Sequence, residues 1–131
     1  MSKWLRTVFL VHAVVAAVGG LALLIAPGRT LDLFGWAPIN AVLNVVSRTL
    51  GAGLLALAWS SWRGWRGATQ AQVALLIEVE AIFTVLTCVG LLRLLLFSSW
   101  SVYVWLLFGV FAAFAVAWVV ALLEVLRTRE R

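Results

Sequence analysis

The sequence predicts an all-α integral membrane protein: a four-helix transmembrane bundle running up-down-up-down, with both termini cytoplasmic. Three observations predict it. Of 131 residues, 65% are hydrophobic and 11% charged, and the mean hydropathy is +1.11. A soluble domain runs at about 45 to 50% apolar and about 25% charged, so this chain lacks the polar groups to cover a water-facing exterior. The apolar residues fall into four runs, each about long enough to cross a hydrocarbon core of roughly 30 Å. Lys3, Arg6, Arg63, Arg66, Arg127, Arg129 and Arg131 fall on one side of these runs, and Arg29 alone lies in a loop on the other. In short loops that bias sets orientation and places both ends in the cytoplasm.

The first helix is expected over residues 4–26. Its apolar part exceeds a signal-peptide core and no small-residue cleavage site follows, so it reads as a mature helix, ended by Pro27-Gly28. Residues 29–36 are too short to span. Leu31, Leu33, Phe34 and Trp36, with Arg29 and Asp32 three apart, suit either a short interfacial helix or a loop. The second span, 39–62, stacks Asn40, Asn44, Ser47, Arg48 and Gly51 on one face, and small and polar residues on one side of a membrane helix look into the bundle. Trp59, Trp62 and Trp65, with Arg63 and Arg66, mark its exit. The third span, 70–97, carries Glu78, Glu80, Thr84, Thr87, Cys88 and Arg93; residues 98–101 turn the chain into the fourth, 102–126, which has no charge before Glu124. Trp4, Trp36, Trp100 and Trp105 also sit near helix ends, as amphipathic rings do, whereas Trp118 lies deeper. Together the spans make one domain over residues 1–131, with no internal repeat.

Composition excludes several classes. The net charge of +5 and a pI near 11.2 belong to topology and anionic lipid rather than to nucleic acid, because no basic recognition helix or aromatic motif accompanies them. One cysteine, Cys88, cannot form an intrachain disulfide or a thiolate cluster. One histidine, His12, excludes a two-histidine haem or zinc site within a chain and leaves at most one axial ligand, so no metal site is expected and any cofactor is unidentified.

Glu78 and Glu80 organise the reading. An ionised side chain at the centre of a bilayer costs about 2.5 to 3.5 kcal/mol on insertion scales, so an intramembrane acid needs a partner or a function. At 1.5 Å per residue His12 lies roughly 12 Å in from the cytoplasmic side, the two glutamates roughly 9 to 12 Å in, and Arg48 near mid-depth. The glutamates point roughly 200° apart, so they are no carboxylate dyad. Glu80 shares its stripe with Thr84 and Thr87 and is the one expected inside; Arg48 is its expected partner, by an ion pair that fixes helix register. The candidate polar site is therefore His12, Asn44, Ser47, Arg48, Glu78, Glu80, Thr84 and Thr87. Arg93, about one turn from the boundary, reads as a snorkelling anchor.

Gly19-Gly20, Ala26-Pro27, Phe34-Gly35, Arg48 with Gly51-Ala52, and Gly90 with Arg93 resemble small bacterial four-helix membrane proteins related to the DoxX-like group. That group is associated with subunits of membrane oxidoreductase complexes and with proteins of unknown role, so the resemblance implies this fold, a bacterial inner membrane and membership of a complex rather than a reaction, with Arg48 and Arg93 as recurring polar positions; Glu78 and Glu80 do not map onto it.

Three functions compete. With no nucleophile constellation or phosphate loop, the first is an accessory or structural subunit that packs through its helices against other membrane subunits, or against itself as a homo-oligomer, among membrane lipids. The second is a protein that binds a hydrophobic ligand, quinone, isoprenoid or sterol-like, or an isomerase-type enzyme in which an intramembrane glutamate donates a proton. The third is a proton-coupled small transporter. Small multidrug exporters resemble this chain in length, but they carry the glutamate on the first helix, where this chain has His12.

Overall fold

Ser2 opens the first helix by accepting a hydrogen bond from the Leu5 amide at 3.4 Å, one of the orphan donors that every helix start presents. The computed structural model describes residues 2–36, 39–97 and 102–129. Among them are five helices: α1 (Lys3–Ile25), α2 (Pro27–Leu33), α3 (Ala41–Gly67), α4 (Gln70–Phe97) and α5 (Val102–Arg129). Asn40 caps α3 through the Leu43 amide at 2.8 Å. Thr69 and Gln72 cap α4 reciprocally, each side chain taking the other's amide. All but α2 are long and apolar enough to cross a membrane, and exposed Val14, Val18, Val42, Ile82, Leu86 and Leu106 give the exterior the apolar character that hydrocarbon tolerates and water does not. The turn expected at residues 98–101, and Arg131, lie outside the described residues.

The segment after Pro27 is helical. Proline has no N–H to lose at the first position of a helix, so Pro27 both ends α1 and begins α2. The carbonyls that α1 leaves over at its end still need donors. The Thr30 hydroxyl lies 3.1 Å from Ala22 O and 2.9 Å from Ala26 O, and Arg48 donates Nη1–H to Leu24 O at 2.7 Å. In an apolar surrounding those bonds are what allows a helix to stop.

α1 lies along α3, and α4 along α5. The first pair is close because of glycine: a Cβ on Gly20 would stand 2.8 Å from Gly51 O, and one on Gly51 2.7 Å from Gly20 O, so backbone meets backbone. The two pairs touch each other sparsely. Their main meeting place is the half carrying the chain termini, where Leu5, Phe9, Val73, Ile77, Ala81, Trp118 and Ala121 form the core. Gly64 makes room there, since a Cβ would lie 2.7 Å from the Phe9 ring.

One boundary changes the geometry of the site. α3 runs to Gly67, five residues past the expected end at Trp62, because nothing in its Trp- and Arg-rich last turns breaks a helix before Gly67 takes φ 124°. The helix centre therefore shifts, and Arg48 is not at mid-depth but toward the α2 end.

Candidate functional site

Glu80 is the organising group: on α4 it is 0% exposed, and it looks across to α3. Its Oε1 is hydrogen-bonded to the Ser61 hydroxyl at 2.9 Å and lies 3.2 Å from Ser60 Oγ. Ser61 Oγ is also 2.9 Å from Nδ1 of His12 on α1, and Nδ1 is 3.5 Å from Glu80 Oε1. Three helices thus meet through a His12–Ser61–Glu80 chain. Ser61 sits at the closest point, with one proton to give and lone pairs to accept, so it can bond both neighbours at once. The ring of His12 is fixed edge-on between Phe114, at 4.8 Å, and Trp118, at 5.6 Å between centroids. Trp118 in turn stacks edge-on to Phe9 at 4.9 Å.

Two buried polar side-chain atoms here have no hydrogen-bond partner among the described residues: Glu80 Oε2 and Trp118 Nε1. One accepts and the other donates, and leaving such groups unmet costs about 1–3 kcal/mol each. Polar atoms held at that cost are a mark of sites rather than of simple cores.

Beyond His12, toward α2, the helix pairs part and enclose a cavity of 380 Å³, within the range of small-molecule pockets. Its walls are apolar and come from all five helices, among them Ala16, Gly19, Leu23, Leu31, Leu50, Leu54, Phe83, Val110, Phe111 and Phe114, with Trp36 near α2. From His12 to Leu23 along α1 it extends about 16 Å at 1.5 Å per residue. The hydroxyls in its lining are turned away: Thr30, Ser47 and Thr87 all donate to carbonyls of the main chain. His12, 4% exposed, is the titratable group in the lining, and it stands at the inner end.

The expected polar site divides in four. His12 and Glu80 come together; Thr84 is buried beneath Glu80 and donates to its carbonyl at 2.7 Å; Ser47 and Thr87 line the cavity without offering it a proton. Arg48 does not pair with Glu80. Glu80 is level with Ser60 and Ser61, about 19 Å along α3 from Arg48 at the helical rise, and the guanidinium is exposed and bonds Asn44 Oδ1 at 2.8 Å and Leu24 O. Asn44 therefore holds the arginine in place. Glu78 is half-buried on another face of α4, outside the cluster. Ser60 and Ser61 escaped the sequence reading, hidden in a stretch of tryptophans that looked like a membrane exit. Their signal was the small-residue face itself: Ser47, Gly51, Ala58, Ser61 and Gly64 are all buried on α3, one stripe that runs on past Gly51 to the end of the helix.

Among the described residues no group of three His, Cys, Asp or Glu is placed to hold a metal ion. Comparison of the chain with protein-family models, curated proteins and solved structures finds no match.

Proposed function

We propose that this protein binds a lipophilic molecule within the membrane, lodging one long apolar body in the cleft between the α1–α3 and α4–α5 pairs with its polar end at His12. The observation that carries this reading is the 380 Å³ apolar cavity closed at one end by a buried histidine. A bundle stabilised by packing alone gains nothing from such a cleft, since unfilled volume forfeits contacts. The basic residues at the Lys3, Arg63 and Arg127 end support an orientation with that end, and the polar cluster near it, on the cytoplasmic side of a bacterial inner membrane. The ligand then enters from the half that carries α2.

Lipid extraction and mass spectrometry of protein purified in mild detergent tests this. A single enriched lipophile is expected, and it should disappear in Gly19→Phe, which fills the cavity, but persist in Gly19→Ala, where the nearest side-chain atom is 3.9 Å from the new Cβ. Bulk lipid alone in both variants would sink the proposal. A second reading, an accessory subunit, is supported by the exposed small residues Thr49, Ala52, Gly53 and Ala56 on α3, a face that suits a neighbouring helix. Cross-linking from cysteines placed at Ala52 or Ala56 in native membranes would capture that neighbour.

A further inference from the structure

We infer that the polar end of the ligand is a carbonyl oxygen, held by the Nε2–H of His12, with Ser61 and Glu80 as positioning residues that keep that nitrogen a donor. The inference rests on the cavity reading above and specifies its ligand. His12 lines the cavity and is 4% exposed. Its Nδ1 is engaged by Ser61, and its Nε2 has no hydrogen-bond partner among the described residues. Nε2 is also not sealed in, as Glu80 Oε2 and Trp118 Nε1 are. A buried side chain with one nitrogen fixed behind it and the other unmet at the cavity is a recognition group in want of a ligand.

The sense of the hydrogen bond follows from counting protons. An uncompensated charge among apolar side chains is costly, so the His12–Glu80 pair carries zero net charge. Two arrangements satisfy this and keep the strong donors on the 2.9 Å contacts to Ser61. In one, Glu80 is the acid: Oε1–H donates to Ser61, the Ser61 hydroxyl donates to Nδ1, and the ring proton of neutral His12 lies on Nε2. In the other, Glu80 is the carboxylate and His12 the imidazolium: Nδ1–H donates to Ser61, Ser61 donates to Oε1, and Nε2 again carries a proton. A third, with the acid proton on Oε2, strands a buried O–H, since that atom has no partner. A fourth, with Oε1–H given to Ser60 and Nδ1–H to Ser61, would bare Nε2, but it sets the acid's strong donor on the longer contact, 3.2 Å to Ser60 against 2.9 Å to Ser61. Both satisfied arrangements present N–H to the cavity, so the complementary head is an acceptor. The other lining hydroxyls donate to main-chain carbonyls and leave His12 to decide the specificity. A ketone or quinone-type carbonyl and an ester carbonyl share this chemistry.

His12 is the chain's one histidine, so histidine labelled with ¹⁵N reports on it alone. In nanodiscs the ligand-free protein should show a protonated Nε2. Radiolabelled 2-tridecanone and methyl dodecanoate should be retained about fivefold to tenfold more tightly than tridecane, after correction for empty nanodiscs, and the tighter of the two distinguishes a ketone-type from an ester-type head. His12→Leu should abolish the preference while still retaining tridecane. Ser61→Ala should lower the carbonyl preference and give a mixed Nε2 signal with tridecane retention unchanged; a purely structural serine would lower all three probes alike. An unprotonated Nε2, or equal retention of alkane and carbonyl probes, would overturn the inference and leave the cavity reading standing. Retention of none of the probes would overturn both.

Discussion

The half of the bundle that carries the termini and the half that carries α2 are built from the same four long helices, yet one is solid and the other hollow. At the terminal half, Phe9, Ile77 and Trp118, all 0% exposed, reach across between the helix pairs and interlock. At the other half, the side chains of α1 at the middle of the same gap are Ala16 and Gly19, and the pairs stand apart. Gly20 seats α1 on α3, while Gly19 and Ala16 beside it set little bulk into the space toward α4 and α5. Close packing within one pair is obtained at the expense of packing between pairs, and the difference is an apolar cleft.

The largest expected effect tests that contrast directly. Trp118→Ala should lower stability in detergent by about 3 kcal/mol or more, because it empties the solid half. Phe111→Ala, at the cavity wall, should cost less than about 1 kcal/mol, since its ring already borders open space. Thermal unfolding followed by circular dichroism compares the two; equal losses would mean that the cleft is filled in solution.

A smaller effect sharpens the role of the α1–α3 contact. Gly51→Ala sets a methyl 2.7 Å from a carbonyl oxygen and 2.9 Å from a backbone nitrogen. Neither can swing aside, so a loss of about 1–3 kcal/mol is expected. Gly53→Ala, two residues on with nothing within 4 Å, should stabilise α3 by about 0.5 to 1 kcal/mol through helix propensity alone. The smallest effect concerns Arg48. Arg48→Leu should give a modest drop in melting temperature, and adding Glu80→Gln should deepen it additively, within about 0.5 kcal/mol, because the two groups share no partner. Rescue by Glu80→Gln would restore the ion pair that the geometry denies.

Much of the fold was legible because hydrocarbon imposes a simple rule: long apolar runs broken by proline, glycine and charge. The interior position of Glu80 was legible for the same reason, as its stripe through Thr84 and Thr87 is the polar side of α4. The partner of Arg48 was not. A charge at a helix end and a charge in a bundle centre look alike in one dimension, and only the true end of α3 separates them. His12 was visible as an isolated polar residue, but its link to Glu80 runs through Ser61, whose hydroxyl is too common a group to stand out in a sequence. The cavity was invisible, since empty space depends on which helix pairs draw together, and that is a property of the assembled pairs.

The meeting of Gly20 with Gly51 also fixes how the cleft can change size. With backbone seated on backbone, α1 and α3 cannot slide or roll past one another without collision, so they behave as a single plank. α4 and α5 form a second plank, pinned to the first where Ser61 receives Glu80. Two planks joined near one end have a single soft coordinate, the angle between them. A ligand of the kind proposed would be accommodated by opening that angle rather than by remodelling any wall, and the resistance it met would come from the lateral pressure of the surrounding lipid on the outer flanks of the two planks.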